Sequence, residues 1–459
     1  MAAKSLSITT VPCNQLIQDI KTLLWGTTVK EEVFHRWAQG FYFSPHENTA
    51  LIQAEGGPCA VIAPLQAFIL KQLLAESDIT TWKSLKPDKS DQLLVKAMTE
   101  ILAQAVDPAD EKYSIFLIDK QGIANGQLFQ PRPQADEESV LPESSCATIT
   151  SVPLSELTLD SNVFHSLLRL YMLKSIQEVE QFFTENISMF KDQFGVLLLL
   201  YSVISTKSIP QVRLEISDLA DPLIHSTFGY GSQSLINLML SGRAVSNVWD
   251  HDQEVGGLKL KGIDKQNAVG FLTLLETLRY IEVGSFLKSP ANPVWVLGSE
   301  THLTVLFSTE KKLVSEETPA EQAKRVFKKY DKDGYNFIPT DSLQNVLSDL
   351  GLFSDSEYVE IMKKKLDRHN DGIILFQSFM YEFFPEELRT YPDTFVLYHY
   401  NGLPRSNPNN KVQYHRGQAI LLEITVESIL DSNSMLTVLQ TKWPSIEVQW
   451  DDNQNPSIN

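Results

Sequence analysis

The chain has 459 residues, of which 43% are hydrophobic and 10% aromatic, so it can bury a large core and is not predicted to be disordered. Its net charge is 39 − 57 = −18, which argues against a surface that binds nucleic-acid phosphates or anionic membranes. Three cysteines are too few for a disulfide framework, and neither a membrane span nor a signal peptide is evident. We therefore expect a protein of the nucleus and/or cytoplasm that is not secreted.

The first part of the chain is predicted to be mainly helical. Apolar residues recur at helical spacing or form long buried runs, and the predicted helices are 14–25, 60–74 and 91–105. Pro64 requires that the second helix be kinked or begin after Cys59, since proline in a helix interior costs about 3 kcal/mol. The apolar residues 113–118 predict a strand. Residues 130–153 contain four prolines and an acidic run, and they predict a mobile surface loop.

The rest of the chain combines helices with strands. Residues 164–201 show long helical patterns, and residues 233–240 predict a helix that ends at Gly242. A hairpin is predicted from residues 293–297 and 301–307, with His302 at the start of its second strand. Further strands are predicted at 395–398, 419–424 and 446–450. The polar residues 451–459 are expected to be frayed.

Two segments resemble the 12-residue calcium loop of an EF-hand, and their first residues, Asp331 and Asp367, lie 36 residues apart. The candidate ligands are Asp331, Asp333, Asp367 and Asp371. The bidentate glutamate of position 12 is replaced by Ser342 and Ser378, a change that weakens calcium binding. The pattern therefore favours a folded EF-hand-like pair that is empty at ordinary calcium concentrations over a working calcium sensor.

Cys59 follows Glu55-Gly-Gly-Pro and precedes the apolar helix 60–74. A helix N-terminus lowers the pKa of a thiol and leaves backbone N–H groups free to bind an oxyanion, so Cys59 is a candidate nucleophile. Gln53 is placed to supply a second oxyanion donor, and Gly56 with Gly57 allows a substrate backbone to approach closely. From spacing alone, a lone cysteine is more often a small buried hydrophobic residue.

His302 is the candidate general base, because it opens a core strand directly after a turn and can be held rigidly there. A structural histidine is an equally good interpretation of this position from the local pattern. The group that orients His302 is not evident from the sequence; Glu300 and Thr304 are close along the chain, and Thr304 would share its face of the strand. Cys13 and Cys146 have no glycine-rich surroundings and are expected to have no catalytic role.

Four blocks of sequence carry a resemblance to a known family. They are residues 50–66 (ALIQAEGGPCAVIAPLQ), 225–248 (HSTFGYGSQSLINLMLSGRAVSNV), 286–307 (FLKSPANPVWVLGSETHLTVLF) and 442–450 (KWPSIEVQW). Together they resemble the MINDY family of deubiquitinases, papain-like cysteine proteases that hydrolyse polyubiquitin, typically in lysine-forty-eight-linked chains. The EF-hand-like pair is similar to an insertion that is found in one branch of this family.

The resemblance implies an α+β, papain-like cysteine protease fold with an inserted helical EF-hand-like pair. It implies a discontinuous catalytic domain, residues 10–318 and 388–452, interrupted by the insertion 319–387 and followed by a polar tail, 453–459. It assigns Cys59 as nucleophile, His302 as general base and Gln53 as oxyanion donor, with Gly56 and Gly57 lining the substrate channel. No cofactor is required, and calcium is a candidate ligand of the EF-hand-like loops.

The expected partners are polyubiquitin and ubiquitinated proteins, with neither nucleic acid nor membrane. The expected activity is isopeptide hydrolysis by a thiol-dependent ubiquitin hydrolase. One alternative is a catalytically silent ubiquitin-binding adaptor whose site is closed by its own loops. A second is a calcium-regulated scaffold, which requires that Asp331 and Asp367 bind calcium.

Overall fold

The computed structural model describes residues 9–11, 14–76, 87–107, 111–119, 160–314, 318–331, 335–385, 392–422, 433–451 and 454–459. The predicted loop 130–153 lies outside the described residues, as do Cys13, Cys146 and Asp333. The chain forms two compact units: the first contains residues 1–310 and 393–459, and the second contains residues 311–392.

Helices supply most of the first unit. They are α1 (Asn14–Trp25), α2 (Glu31–Trp37), α3 (Cys59–Glu76), α4 (Pro87–Ala105), α5 (Ser161–Leu167), α6 (Ile176–Lys191), α7 (Gly195–Lys207), α8 (Ile209–Glu215), α9 (Gln233–Ser241), α10 (Leu274–Thr277), α11 (Ser285–Lys288) and, after the second unit, α16 (Ser434–Gln440). The predicted helices 14–25, 91–105 and 233–240 are confirmed, and Gly242 ends α9 in the left-handed conformation that the prediction requires.

The strands of the first unit form several sheets. They are β1 (Thr9–Val11), β2 (Tyr42–Phe43), β3 (Leu51–Ile52), β4 (Tyr113–Ile118), β5 (Leu168–Leu173), β6 (Gln253–Val255), β7 (Leu258–Leu260), β8 (Gly270–Thr273), β9 (Val294–Gly298), β10 (Leu303–Phe307), β13 (Thr394–Tyr400), β14 (His415–Leu421) and β15 (Ile446–Trp450). The largest sheet has the order β15-β14-β13-β10-β9-β8, and its pairs are antiparallel except β8 with β9. The predicted hairpin and the predicted strands at 113–118, 395–398 and 446–450 are confirmed.

Helix α3 runs through the core and packs against β9 and β10. It begins at Cys59 and continues through Pro64, so the option of a helix that begins after the cysteine is wrong. It is long and apolar enough to cross a membrane by length and composition, but most of its residues are buried inside the fold, as in the core helix of a folded domain. The apolar side chains around α3 therefore fix the position of Cys59 relative to the large sheet.

Two expectations from the sequence are wrong. Residues 164–201 are not wholly helical, because β5 lies within them and forms the middle strand between β1 and β4. Pairing on both edges outweighs the helical propensity of this Leu-rich strand. The tail is not simply frayed, since Ile458 is only 2% exposed and the main-chain oxygens of Ser457 and Asn459 accept hydrogen bonds from the Asn401 side chain.

The second unit contains two helix–loop–helix segments. The first segment is α12 (Pro319–Tyr330), β11 (Phe337–Pro339) and α13 (Leu343–Asp349); the second is α14 (Ser356–Leu366), β12 (Ile373–Leu375) and α15 (Phe376–Phe383). Strands β11 and β12 pair antiparallel, with Ile338 opposite Ile374, over a shared apolar core.

The loops of the second unit use the carboxylates of their first residues internally. Asp331 accepts backbone N–H groups of Tyr335 at 3.1 Å and Asn336 at 2.8 Å. Asp367 accepts those of Asp371 at 2.9 Å and Gly372 at 2.8 Å. Within the described part of the chain, no three His, Cys, Asp or Glu side chains gather as metal ligands would. The donor set therefore gives no independent support to a calcium site.

Candidate active site

Cys59 is the first residue of α3, and the backbone directs several N–H groups toward its sulfur. The Pro58 carbonyl accepts the N–H groups of Val61 and Ile62, at 2.9 and 3.0 Å, and so opens the helix at this point. The backbone N–H groups of Leu303, Ala60 and Cys59 itself lower the pKa of the thiol. Because Leu303 follows His302, the thiol lies beside the start of β10.

Burial is nevertheless the dominant effect on the Cys59 thiol. The residue is 4% exposed, and burial raises the pKa of the thiol to about 11 despite these N–H groups. Its Sγ lies 3.7 Å from the Gly57 carbonyl oxygen, to which the protonated thiol donates. The sequence-based expectation of a lowered thiol pKa therefore does not hold for the free protein, in which burial keeps the Cys59 thiol neutral.

His302 lies between the β9–β10 turn and the first residue of β10. The Ser299 side chain accepts its backbone N–H at 3.0 Å, and the Ser299 N–H donates to its carbonyl oxygen at 3.0 Å. Burial lowers the pKa of His302 to about 4, the Asn401 hydrogen bond opposes this shift, and the nearby Arg405 guanidinium adds to it. The imidazole is therefore neutral near pH 7. Among the described residues, no hydrogen bond joins its ring to Cys59 Sγ.

Asn401 is the orienting residue that the sequence did not reveal. His302 Nε2 lies 3.0 Å from Asn401 Oδ1, whereas Thr304 Oγ1 has no hydrogen-bond partner among the described residues. Because β10 and β13 pair antiparallel, with Val305 opposite Tyr400, the end of β13 lies beside the start of β10 and places Asn401 next to His302. An Oδ1 acceptor at Nε2 leaves Nδ1 unprotonated, as a base toward a thiol requires.

Gln53 belongs to the same cluster. Its backbone N–H donates to the Gly402 carbonyl at 2.8 Å, which connects the end of β3 to the residue after Asn401. Its side-chain Nε2 donates to the Glu55 carbonyl at 2.9 Å. Gln39, which the sequence did not single out, braces this loop by accepting the Ala54 N–H at 2.8 Å and donating to Glu55 O at 3.1 Å. The structure thus brings Gln53, Cys59 and His302 to one site, with Asn401 behind the histidine.

The two glycines before Pro58 differ in how tightly they are surrounded. Gly57 has φ +130°, and a Cβ there would lie 3.1 Å from both the Gly229 carbonyl oxygen and Trp37 Nε1. Within the described residues, a Cβ on Gly56 would meet only Arg405 Nη2, at 3.6 Å. Gly57 is therefore required by the backbone, whereas Gly56 leaves an open approach to the site.

Replacing Gly57 with alanine is expected to lower the free energy of unfolding by about 1–3 kcal/mol, because φ is positive and the added methyl group is crowded. Gly56→Ala is the matched control and should change it by less than about 0.5 kcal/mol. Urea unfolding at pH 7 measures both variants. Equal losses of stability would contradict the assignment of strain to Gly57 alone.

The neutral thiol predicts slow alkylation of the free protein. Raising the pKa of Cys59 from 9.0 to about 11 reduces the thiolate fraction at pH 7 about 100-fold, and the fraction rises tenfold for each pH unit up to the pKa. Iodoacetamide should therefore modify Cys59 at pH 7 about 100 times more slowly in the folded protein than in urea, as measured by peptide mapping. Equal rates in the two states would show that the thiol is not held neutral.

The chain resembles known proteins over nearly its whole length. Residues 21–332 match the family model described as deubiquitinating enzyme MINDY-3/4, conserved domain. The chain is 48% identical to the ubiquitin carboxyl-terminal hydrolase MINDY-3 homolog of Drosophila melanogaster, over 96% of this chain and 83% of that protein. It is 44% identical to ubiquitin carboxyl-terminal hydrolase MINDY-3 of Homo sapiens, over 97% of this chain and 100% of that protein.

A more distant relative is the probable ubiquitin carboxyl-terminal hydrolase MINDY-4 of Mus musculus, which is 31% identical over 70% of this chain and 40% of that protein. No solved structure matches the chain. The family model covers more than half of the chain, and the MINDY-3 relatives align with it almost from end to end. The chain therefore belongs to the MINDY-3/4 family of deubiquitinating enzymes.

Proposed function

We propose that this deubiquitinating enzyme hydrolyses isopeptide bonds in lysine-forty-eight-linked polyubiquitin, with Cys59 as nucleophile, His302 as general base and Gln53 as oxyanion donor. The observation that carries the proposal is the hydrogen bond from His302 Nε2 to Asn401 Oδ1 at 3.0 Å, beside a cysteine at the start of a buried helix. The thiol of Cys59, the imidazole of His302 and the amide of Asn401 behind the imidazole match the papain-like arrangement that the sequence resemblance implies.

In the proposed reaction, Cys59 Sγ attacks the carbonyl carbon of the C-terminal glycine of ubiquitin and passes its proton to His302 Nδ1. The carbonyl oxygen becomes an oxyanion, which accepts hydrogen bonds from Gln53 Nε2 and the Cys59 backbone N–H. The bond to the lysine nitrogen then breaks, and His302 protonates the departing amine. Water attacks the resulting thioester, His302 takes its proton, and the ubiquitin carboxylate and the thiol are released.

The free protein must rearrange locally for this chemistry. The Gln53 amide donates to Glu55 O, and the thiol donates toward Gly57 O, so both groups are engaged within the 53–59 loop. The Gly-Gly end of a ubiquitin tail that enters past Gly56 would displace these contacts with its own backbone. Catalytic hydrogen bonds commonly tighten only when substrate is bound.

Cleavage of tetraubiquitin tests the function and the linkage together. The purified chain is incubated with lysine-forty-eight-linked and lysine-sixty-three-linked chains, and shorter products are followed on gels. We expect selective cleavage of the first linkage. Equal rates would contradict the linkage preference, and failure to cleave either chain, with no labelling by a ubiquitin probe that carries a C-terminal electrophile, would favour the silent adaptor.

We propose also that the second unit is an EF-hand-like pair that the reaction does not require to bind calcium. The paired helix–loop–helix segments support this proposal, as do Ser342 and Ser378 at the positions where a bidentate ligand is expected. Calorimetry at millimolar calcium should show no binding heat. Binding heat that disappears in an Asp367→Ala variant would instead support the calcium-regulated scaffold. Nucleus and/or cytoplasm remains the proposed location.

A further inference from the structure

We propose that residues 457–459 are a positioning element of the active site: their main-chain oxygens fix the side-chain amide of Asn401 and thereby select the tautomer of His302. This proposal rests on the function proposed above for Cys59 and His302. It assigns a role in catalysis to a polar segment that the sequence predicted to be frayed.

The amide of Asn401 makes hydrogen bonds from both of its ends. Its Nδ2 donates to the main-chain oxygens of Ser457 at 2.9 Å and Asn459 at 3.2 Å. Its Oδ1 accepts the Leu403 backbone N–H at 3.0 Å and faces His302 Nε2 at 3.0 Å. The side chain is buried, so these partners and not solvent determine its orientation.

Main-chain oxygens only accept hydrogen bonds, so they require the NH₂ end of the amide. Turning the Asn401 amide over would bring Oδ1 against the two main-chain oxygens and Nδ2 against the Leu403 N–H. The tail therefore keeps Oδ1 toward His302. Because Oδ1 is an acceptor, His302 carries its proton on Nε2, and Nδ1 is left to take the thiol proton.

The tail is anchored in a way that suits this role. Ile458 is buried between two exposed residues, and the Ser457 hydroxyl donates to Asn459 O at 2.9 Å while accepting the Asn459 N–H at 3.1 Å. These contacts hold the two main-chain oxygens at a fixed spacing. A cavity of about 220 Å³ lies next to them, lined by residues 454–457 on one side and by His399, Asn401 and Asn407 on the other.

A double-mutant cycle tests whether the tail acts through Asn401. The variants are a chain that ends at Pro456, Asn401→Ala, and the two changes combined. We expect each single change to lower kcat about 10- to 100-fold with KM within about twofold, since misplacement of a catalytic group has effects of this size. The combined variant should be no slower than Asn401→Ala, because the tail has nothing left to position.

Asn401→Asp provides a test in which removal of the tail is expected to have the opposite effect on kcat. With residues 457–459 present, its carboxylate would face the main-chain oxygens of Ser457 and Asn459, which repel it because all of these oxygens carry negative charge. Removal of residues 457–459 should therefore raise the kcat of Asn401→Asp although it lowers the kcat of the wild type. A tail that only stabilises the fold would lower both. Asn455→Ala, an exposed change in the same tail, is the control and should leave kcat unchanged.

Ring-nitrogen NMR of His302 gives a readout that does not depend on cleavage. The wild type should show the Nε2–H tautomer, and the chain that ends at Pro456 should show a mixture, with thermal unfolding confirming that both are folded. Multiplicative effects in the cycle, or an unchanged tautomer after truncation, would overturn the role of the tail. Expected NMR shifts without cleavage by the wild type would instead contradict the proposed function and leave the tail assignment supported.

Discussion

Replacement of Cys59 by alanine is expected to reduce cleavage of lysine-forty-eight-linked tetraubiquitin by about 10⁴- to 10⁶-fold, the range seen when a triad nucleophile is removed. The change deletes one sulfur atom from a position that is 4% exposed and leaves the helix start intact. Ubiquitin binding should therefore persist with an unchanged Kd, which calorimetry measures on the same preparation.

The other two cysteines provide the matched control for this experiment. A Cys13→Ala, Cys146→Ala double variant should keep wild-type activity and remain labelled by a ubiquitin probe with a C-terminal electrophile, whereas Cys59→Ala should not be labelled. Activity of Cys59→Ala near the wild-type level would refute the assignment of the nucleophile. Loss of activity in the double variant would point to a second thiol in the mechanism.

Replacement of His302 by alanine is expected to lower kcat by about 10⁴-fold or more, because residues that act as a unit lose most of the rate when any member is removed. The reason is specific to this site. With the pKa of the thiol near 11, a Cys59 nucleophile needs a base to take its proton at pH 7, and the neutral ring of His302, the residue before Leu303, is the base that we propose. Single-turnover cleavage separates this loss from any change in binding.

His46→Ala is a suitable control, since His46 is exposed and lies in the same unit, and it should retain wild-type kcat. If His302→Ala is slowed at pH 7 but recovers as the pH rises toward 11, direct ionisation of the thiol has replaced the base, which supports the role of His302. A loss that is the same at every pH would indicate that His302 has a structural role instead.

The sequence predicted the parts of the site that depend on local pattern. The Gly-Gly-Pro segment before an apolar helix located Cys59, and a turn between two β-branched runs located His302 at the start of a strand. Each of these two signals spans a segment of no more than about 20 residues. The structure places Cys59 and His302 at one site. Their catalytic roles came from the family resemblance and stay predictions.

Asn401 was missed because its role depends on pairing across the sheet. It lies 99 residues from His302 along the chain, with the second unit between them, and Asn401-Gly402 at the end of a strand has the composition of an ordinary turn. A signal existed in the strand pairing, since a polar residue at the end of the strand beside β10 would face His302. No local periodicity reveals which strands are neighbours.

The missed strand β5 and the ordered tail have similar causes. Residues 168–173 are rich in Leu and Met, which favour helices, and their strand conformation depends on edges supplied by β1 and β4. The tail has one buried apolar residue, Ile458, among polar neighbours, too weak a pattern to predict order. In each case contacts distant in sequence outweigh the local preference.

The order of the strands has a consequence for biosynthesis. Cys59 is synthesised before the second unit, whereas β13, the strand that ends directly before Asn401, is synthesised after it. Strands β14 and β15 follow later still. At about 5–20 residues per second, a ribosome needs on the order of tens of seconds to pass from the nucleophile to its last partners. A nascent chain thus carries Cys59 without its partners, and the cluster of Cys59, His302 and Asn401 can assemble only after the strands on both sides of the second unit have been made.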